Sequence, residues 1–203
     1  MLNQEQIQAN KQEFQNILRE VITLEPNKQK GTENLLQWLE GTDFYTAPAS
    51  TKYHQSYNGG LCEHSLQVYK HLLKVIKDCE LNDIPKSSLI IVSLLHDLCK
   101  INTYKLGSRN VKNEQTGQWE KVPVWEHKNT LHMGHAEKSL FYITQFYQLN
   151  NIEYQAILFH MGYCDLGNYR TLGETSEAFQ ENKLAFALHF ADMLSTYLEN
   201  QCI

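Results

Sequence analysis

Arginine is scarce in this 203-residue chain: Arg19, Arg109 and Arg170 are its only three. Few buried carboxylates can therefore be matched by a bidentate guanidinium, and lysine is a poorer substitute. No apolar run reaches the ~18–20 residues of a membrane-spanning helix, so no transmembrane helix is expected. The opening stretch MLNQEQIQANKQEF has no apolar centre of the kind a secretory signal needs. The five cysteines are odd in number and include no CxxC pair, which argues against a disulfide framework and for reduced thiols in the cytoplasm. A net charge of −5 excludes a broadly basic surface, so stable binding of duplex nucleic acid is not expected. Internal repeats and low-complexity segments are absent.

What remains is an ordinary composition, 42% hydrophobic and 20% charged, on a length that suits one core. Ile7, Phe14, Ile17, Leu18 and Val21 recur at helical spacing, which predicts a helix over 3–24. ENLLQWLE predicts a shorter helix closed by Gly41, and residues 42–60 read as an ordered loop. Helices are expected at 61–79 and at 88–100, the second capped by Ser87 or Ser88. Beta-forming residues on either side of Asn113–Gly117 predict a hairpin within 102–131. Further helices are expected at 134–148, 151–161 and 178–200. The fold class is therefore mainly α with a small inserted β-hairpin. Residues 1–45 are expected to form an N-terminal helical segment packed on the core, and 46–203 the main globular unit.

The stretch SLIIVSLLHDLCKI poses a physical problem. His96 and Asp97 sit at the end of a run fit for burial, where an ionised carboxylate is costly without a positive partner. Asp192 in LAFALHFADML raises the same problem. His64 lies near one helix start, His135 near another, and His160 ends the apolar segment AILFHMG. Any one of these has an ordinary reading as a packed or hydrogen-bonded side chain. Taken together, two buried carboxylates and four histidines would need many separate partners, whereas one or two divalent cations satisfy them all. Lys100 falls three residues past Asp97, where it suits either a substrate phosphate or the negative end of a helix.

The ordered set resembles the HD-domain superfamily of metal-dependent phosphohydrolases. HDLCK is similar to the family's usual HDxGK with cysteine in place of glycine, GGLCEHS to the segment carrying its first histidine, and HFADML to its terminal aspartate segment. The resemblance covers roughly 55–200 and implies an all-helical bundle. It also implies a first ion held by His64, His96, Asp97 and Asp192, and a second held by His135, His160 and Asp97. The hairpin followed by GHAEKS and FHMG looks most like the HD domains of bacterial 3′→5′ exoribonucleases, and small stand-alone bacterial and phage HD proteins are similar. No nucleic-acid-binding OB domain is read ahead of this region, which favours a nucleotide or short oligonucleotide over long RNA.

The implied reaction is phosphoester hydrolysis, with Asp97 and Lys100 as catalytic residues and Lys100 and Lys138 binding substrate oxygens. Lys138 also reads as a solvated surface lysine. Manganese, iron, cobalt, nickel and zinc all suit such ligands. Two other classes stay open: a di-iron oxygenase acting on a small polar substrate, and a non-catalytic signalling module. Tyr53, His54 and Tyr104 are candidates for stacking on a base, or simple packing. His189 is expected to orient Asp192 or to pack; His127 and His132 to face solvent; Cys62 and Cys99 to fill apolar space. A homo-oligomer built on the N-terminal helix is also open.

Overall fold

In the computed structural model, residues 1–128, 131–165 and 171–198 are described. They form eight α-helices and one two-stranded antiparallel sheet, a mainly α fold with a small β-hairpin. None of these helices is long and apolar enough to cross a membrane.

Helix α1 spans Gln4–Leu24, opened by a reciprocal capping box between Asn3 and Gln6. Its buried stripe of Phe14, Leu18 and Val21 packs toward α4, Lys86–Leu95. Helix α2, Gln29–Glu40, begins earlier than ENLLQWLE because Pro26 starts a 3-10 turn that leads into it. The centre is α4, in which every residue from Ser87 to Leu95 is buried. A helix apolar on all sides must be surrounded, and α1, α3 (Gly60–Asp78), α6 (Asn151–Phe159) and α8 (Lys183–Tyr197) all contact it. Helix α5, His135–Ile143, packs on the turn that follows α4 and on α6.

Three sequence expectations need correction. The 88–100 helix starts at Lys86 with no side-chain cap, so Ser87 and Ser88 lie inside it. It also stops at Leu95: Asp97 leaves the helix at φ −107°, ψ 19°, and Leu98–Lys100 form a 3-10 turn. The expected 178–200 helix is two helices whose last predicted residues, 199 and 200, lie outside the described ones. Thr171 and Glu174 form a capping box that starts α7 at Leu172–Glu181, and Asn182 then caps α8 by accepting from the Leu184 and Ala185 amides.

The hairpin pairs β1 (Tyr104–Lys112) with β2 (Trp119–His127), Tyr104 opposite His127 and Lys112 opposite Trp119. Its turn is held by Asn113, whose side chain accepts from the Gln115 and Thr116 amides. Its base is tied down where the Lys128 amide donates to the Thr103 carbonyl at 2.6 Å.

Candidate metal centre

The break after α4 builds the site. Because 3-10 geometry eclipses residues three apart, Lys100 lies directly over Asp97, with Nζ 2.6 Å from Oδ2. An ammonium therefore does neutralise one of the two carboxylates, the buried Asp97; Asp192 is partly buried. Asp192, on α8, has no lysine or arginine at ion-pair distance among the described residues; its close partner is His64 Nε2 at 3.1 Å. Arg19 pairs with Glu33, Arg109 lies on the hairpin, and Arg170 is outside the described residues.

The histidine tautomers follow from what each Nδ1 faces. His96 Nδ1 lies 2.8 Å from the Ser93 carbonyl, and His160 Nδ1 lies 2.6 Å from the Ile157 carbonyl. A carbonyl only accepts, so both nitrogens carry the proton. His64 Nδ1 lies 3.1 Å from Ser195 Oγ, whose own hydrogen goes to Gln67 Oε1; this hydroxyl must accept from the ring. In the neutral ring each Nε2 is then left with a bare lone pair. All three Nε2 atoms are buried without a hydrogen-bond partner, since even the close approach of His64 to Asp192 is misaligned for one. Leaving three such atoms unmatched costs about 1–3 kcal/mol each, so the arrangement asks for a Lewis acid. Imidazole Nδ1–H fixed by a carbonyl or hydroxyl with Nε2 aimed inward is the outer-sphere pattern of metal-binding histidine.

Three groups of ligand atoms lie within 4.8 Å of one another: His64, His96 and Asp97; His96, His160 and Asp192; and Asp97, His135 and His160. Between them they bring together all six residues singled out in the sequence. These buried His/Asp groups fit a metal ion, and their donor types suit a first-row divalent cation. Asp97 is at the centre, with Oδ1 2.7 Å from His135 Nε2 and 3.8 Å from His160 Nε2, and Oδ2 3.5 Å from His64 Nε2. Burial raises the Asp97 pKa, but Lys100 and the surrounding imidazoles outweigh it and hold the carboxyl well below its usual range. Burial pushes His96 down to about 4, which keeps it an unprotonated donor near neutral pH. His135 moves the other way. Burial opposes its charge, yet Cys99 and the bond to Asp97 lift it to about 10.

Asp97, His135 and Asp192 of the cluster line a cavity of about 700 Å³, which Lys100 also lines. Its near wall is the loop ahead of α3, and two glycines explain how that loop gets so close. Gly59 adopts φ +84°, and a Cβ on Gly60 would come within 2.1 Å of the Gln55 carbonyl oxygen. With that approach open, His54 stands 4.8 Å from the His64 ring, both of its nitrogens buried without a partner. Burial depresses His54 to about 3, so it presents one neutral donor and one acceptor beside the cavity.

Lys138 is neither surface lysine nor cavity residue. It is 4% exposed, its Nζ donates to Thr103 Oγ1 at 3.0 Å, and it is not among the cavity-lining residues. The cause is the break after α4, which turns Thr103 back over α5. Lys138 therefore anchors the hairpin base and does not line the cavity. His189 supports His160 instead of Asp192, its Nδ1 donating to the His160 carbonyl at 2.7 Å while its ring stacks on Phe179. Cys99 is more than filler: its Sγ lies 3.4 Å from both ring nitrogens of His135, which places sulfur over the ring face. His127 is exposed but lines the cavity mouth with Tyr104. The sequence signals for these were weak. Ser195 falls three residues after Asp192, one helical turn away, and His54 sits just ahead of the glycine pair.

Comparison with protein-family models, with curated proteins and with solved structures finds no match for this chain. Fold and site thus define the class: a mainly α protein whose buried histidine–aspartate cluster can hold metal.

Proposed function

We propose that this protein is an HD-type metal-dependent phosphohydrolase that cleaves a phosphoester in a nucleotide or short oligonucleotide. The observation that carries the reading is the convergence of three lone-pair Nε2 atoms on Asp97 and Asp192 beneath a cavity that also contains an ammonium. His64, His96, Asp97, His135, His160 and Asp192 would hold the divalent cations, which would supply charge neutralisation and lower the pKa of a water molecule so that hydroxide is accessible near neutral pH. Asp97 holds the two halves of the cluster in register, each carboxylate oxygen facing different imidazoles. Burial opposes charge on Lys100, yet Asp97 raises its pKa further, so it stays protonated and offers its remaining N–H groups to non-bridging phosphate oxygens. His54, neutral and unpartnered, orients the group attached to the phosphate. A 700 Å³ cavity lies within the usual range for small-molecule sites.

The test is turnover of p-nitrophenyl phosphate, bis-p-nitrophenyl phosphate and a nucleotide panel by protein loaded with manganese, cobalt, zinc or iron. Metal-dependent release of phosphate or alcohol is the expected result. No turnover of any member with metal shown to be bound would overturn the proposal, as would iron-dependent oxygen consumption in its place.

A further inference from the structure

The hairpin sorts its side chains by chemistry. Directly opposed residues of an antiparallel pair share a face, so Tyr104 with His127, Trp125, Lys121, and Lys112 with Trp119 all lie on one face. The four remaining positions of that face are leucine, serine, asparagine and proline. It carries no carboxylate, in a chain whose net charge is −5. The acids lie elsewhere: Glu120 and Glu126 are on the opposite face, the latter paired with Lys105 at 3.0 Å, and Glu114 is in the turn. The face is open, with Trp119 71% exposed and Leu106 64% exposed. It is also continuous with the cavity, because Tyr104 and His127 at its inner end line the mouth above the metal cluster. From there the nine-residue strand carries aromatic and basic groups outward for about 27 Å, winding with the right-handed twist of a two-stranded ribbon.

We infer that this face is a track for single-stranded nucleic acid, which delivers the end of the strand to the cavity. Spaced aromatic rings stack on bases along the strand whatever their identity, and the interleaved lysines meet the phosphates. A duplex offers no unstacked bases, so it gains nothing from the tryptophans. The inference builds on the phosphohydrolase reading for what happens at the cavity, but the binding it requires is measurable without catalysis.

The experiment measures fluorescence anisotropy of a fluorescein-labelled, phosphorothioate-linked single strand, RNA and DNA separately, over the full chain. Wild-type protein is expected to bind one or both. Trp119→Ala should weaken binding roughly tenfold. Lys112→Ala with Lys121→Ala should also lower the slope of log affinity against log salt by about 1.4. Lys105→Ala with Arg109→Ala removes the same charge from the opposite face and should leave affinity within about twofold. Each variant's turnover of bis-p-nitrophenyl phosphate, which needs only the cavity, checks that the protein is folded. Absence of binding by wild type, or equal losses from the two double variants, overturns the track. A hairpin-dependent dimer in sedimentation that Trp119→Ala dissociates does so too, by assigning the face to a second copy. Loss of the track with intact ester turnover leaves the phosphohydrolase reading standing; strand binding without any ester turnover removes that reading and keeps the track.

Discussion

The histidine–aspartate cluster and the hairpin are opposite solutions to placing polar groups on one chain. In the cluster, His64, His96 and His160 are fully buried, and each Nδ1 is tied to a carbonyl or hydroxyl so that Nε2 has one direction to face. On the hairpin, the two strands make their main contacts with each other, and their side chains are exposed or half-buried. A cluster of the first kind is held by the surrounding core and loses its chemistry when one atom is misplaced. A ribbon of the second kind tolerates changes at its exposed side chains at small cost to the fold.

The comparison breaks most visibly if the central carboxylate can be removed without consequence. Asp97→Asn preserves shape but removes the charge shared by both halves of the cluster, and should lower ester turnover by about 10³-fold. Circular dichroism should remain that of a folded helical protein. Phe14→Ala tests the core that carries the cluster. Phe14 is fully buried against Phe44 at a 4.8 Å centroid distance, and its loss should cost about 3–5 kcal/mol in urea unfolding. Chelation comes next. An ion present at a hundred times its Kd stabilises the fold by about 2.7 kcal/mol, so EDTA should lower the melting temperature by roughly 5–10 °C, with recovery on adding metal. Ser195→Ala removes the acceptor that fixes the His64 tautomer, together with the hydrogen bond to Gln67, and should weaken metal binding about 10–100-fold in a competition titration. Trp119→Ala sits at the far end of the scale, where urea unfolding should shift by no more than about 0.5 kcal/mol.

The two regions also differ in how far they could be read from sequence. The doublet stood out because an aspartate in an apolar run demands compensation and three arginines are too few to provide it, but for Asp97 part of that compensation comes from Lys100. The hairpin was legible from beta-formers flanking a turn with Gly117 at φ +70°. Residues whose roles depend on tertiary approach were not legible. The helix break at Asp97 has no glycine or proline to announce it. Lys138 finds Thr103 only because that break turns the chain back. His54 becomes a cavity residue only because a missing side chain at Gly60 admits the Gln55 backbone. Helix α7 escaped because its amphipathic signal is short, although the Thr171–Glu174 capping box was present to mark it.

Anomalous X-ray scattering from crystals of the purified protein, collected across the edges of the first-row metals, addresses the metal centre itself. The account predicts density for at least one divalent ion at about 2.0–2.2 Å from Nε2 of His64, His96 or His160 and from an oxygen of Asp97 or Asp192. A cavity floor without anomalous signal, in protein to which each of those metals had been supplied, would contradict it.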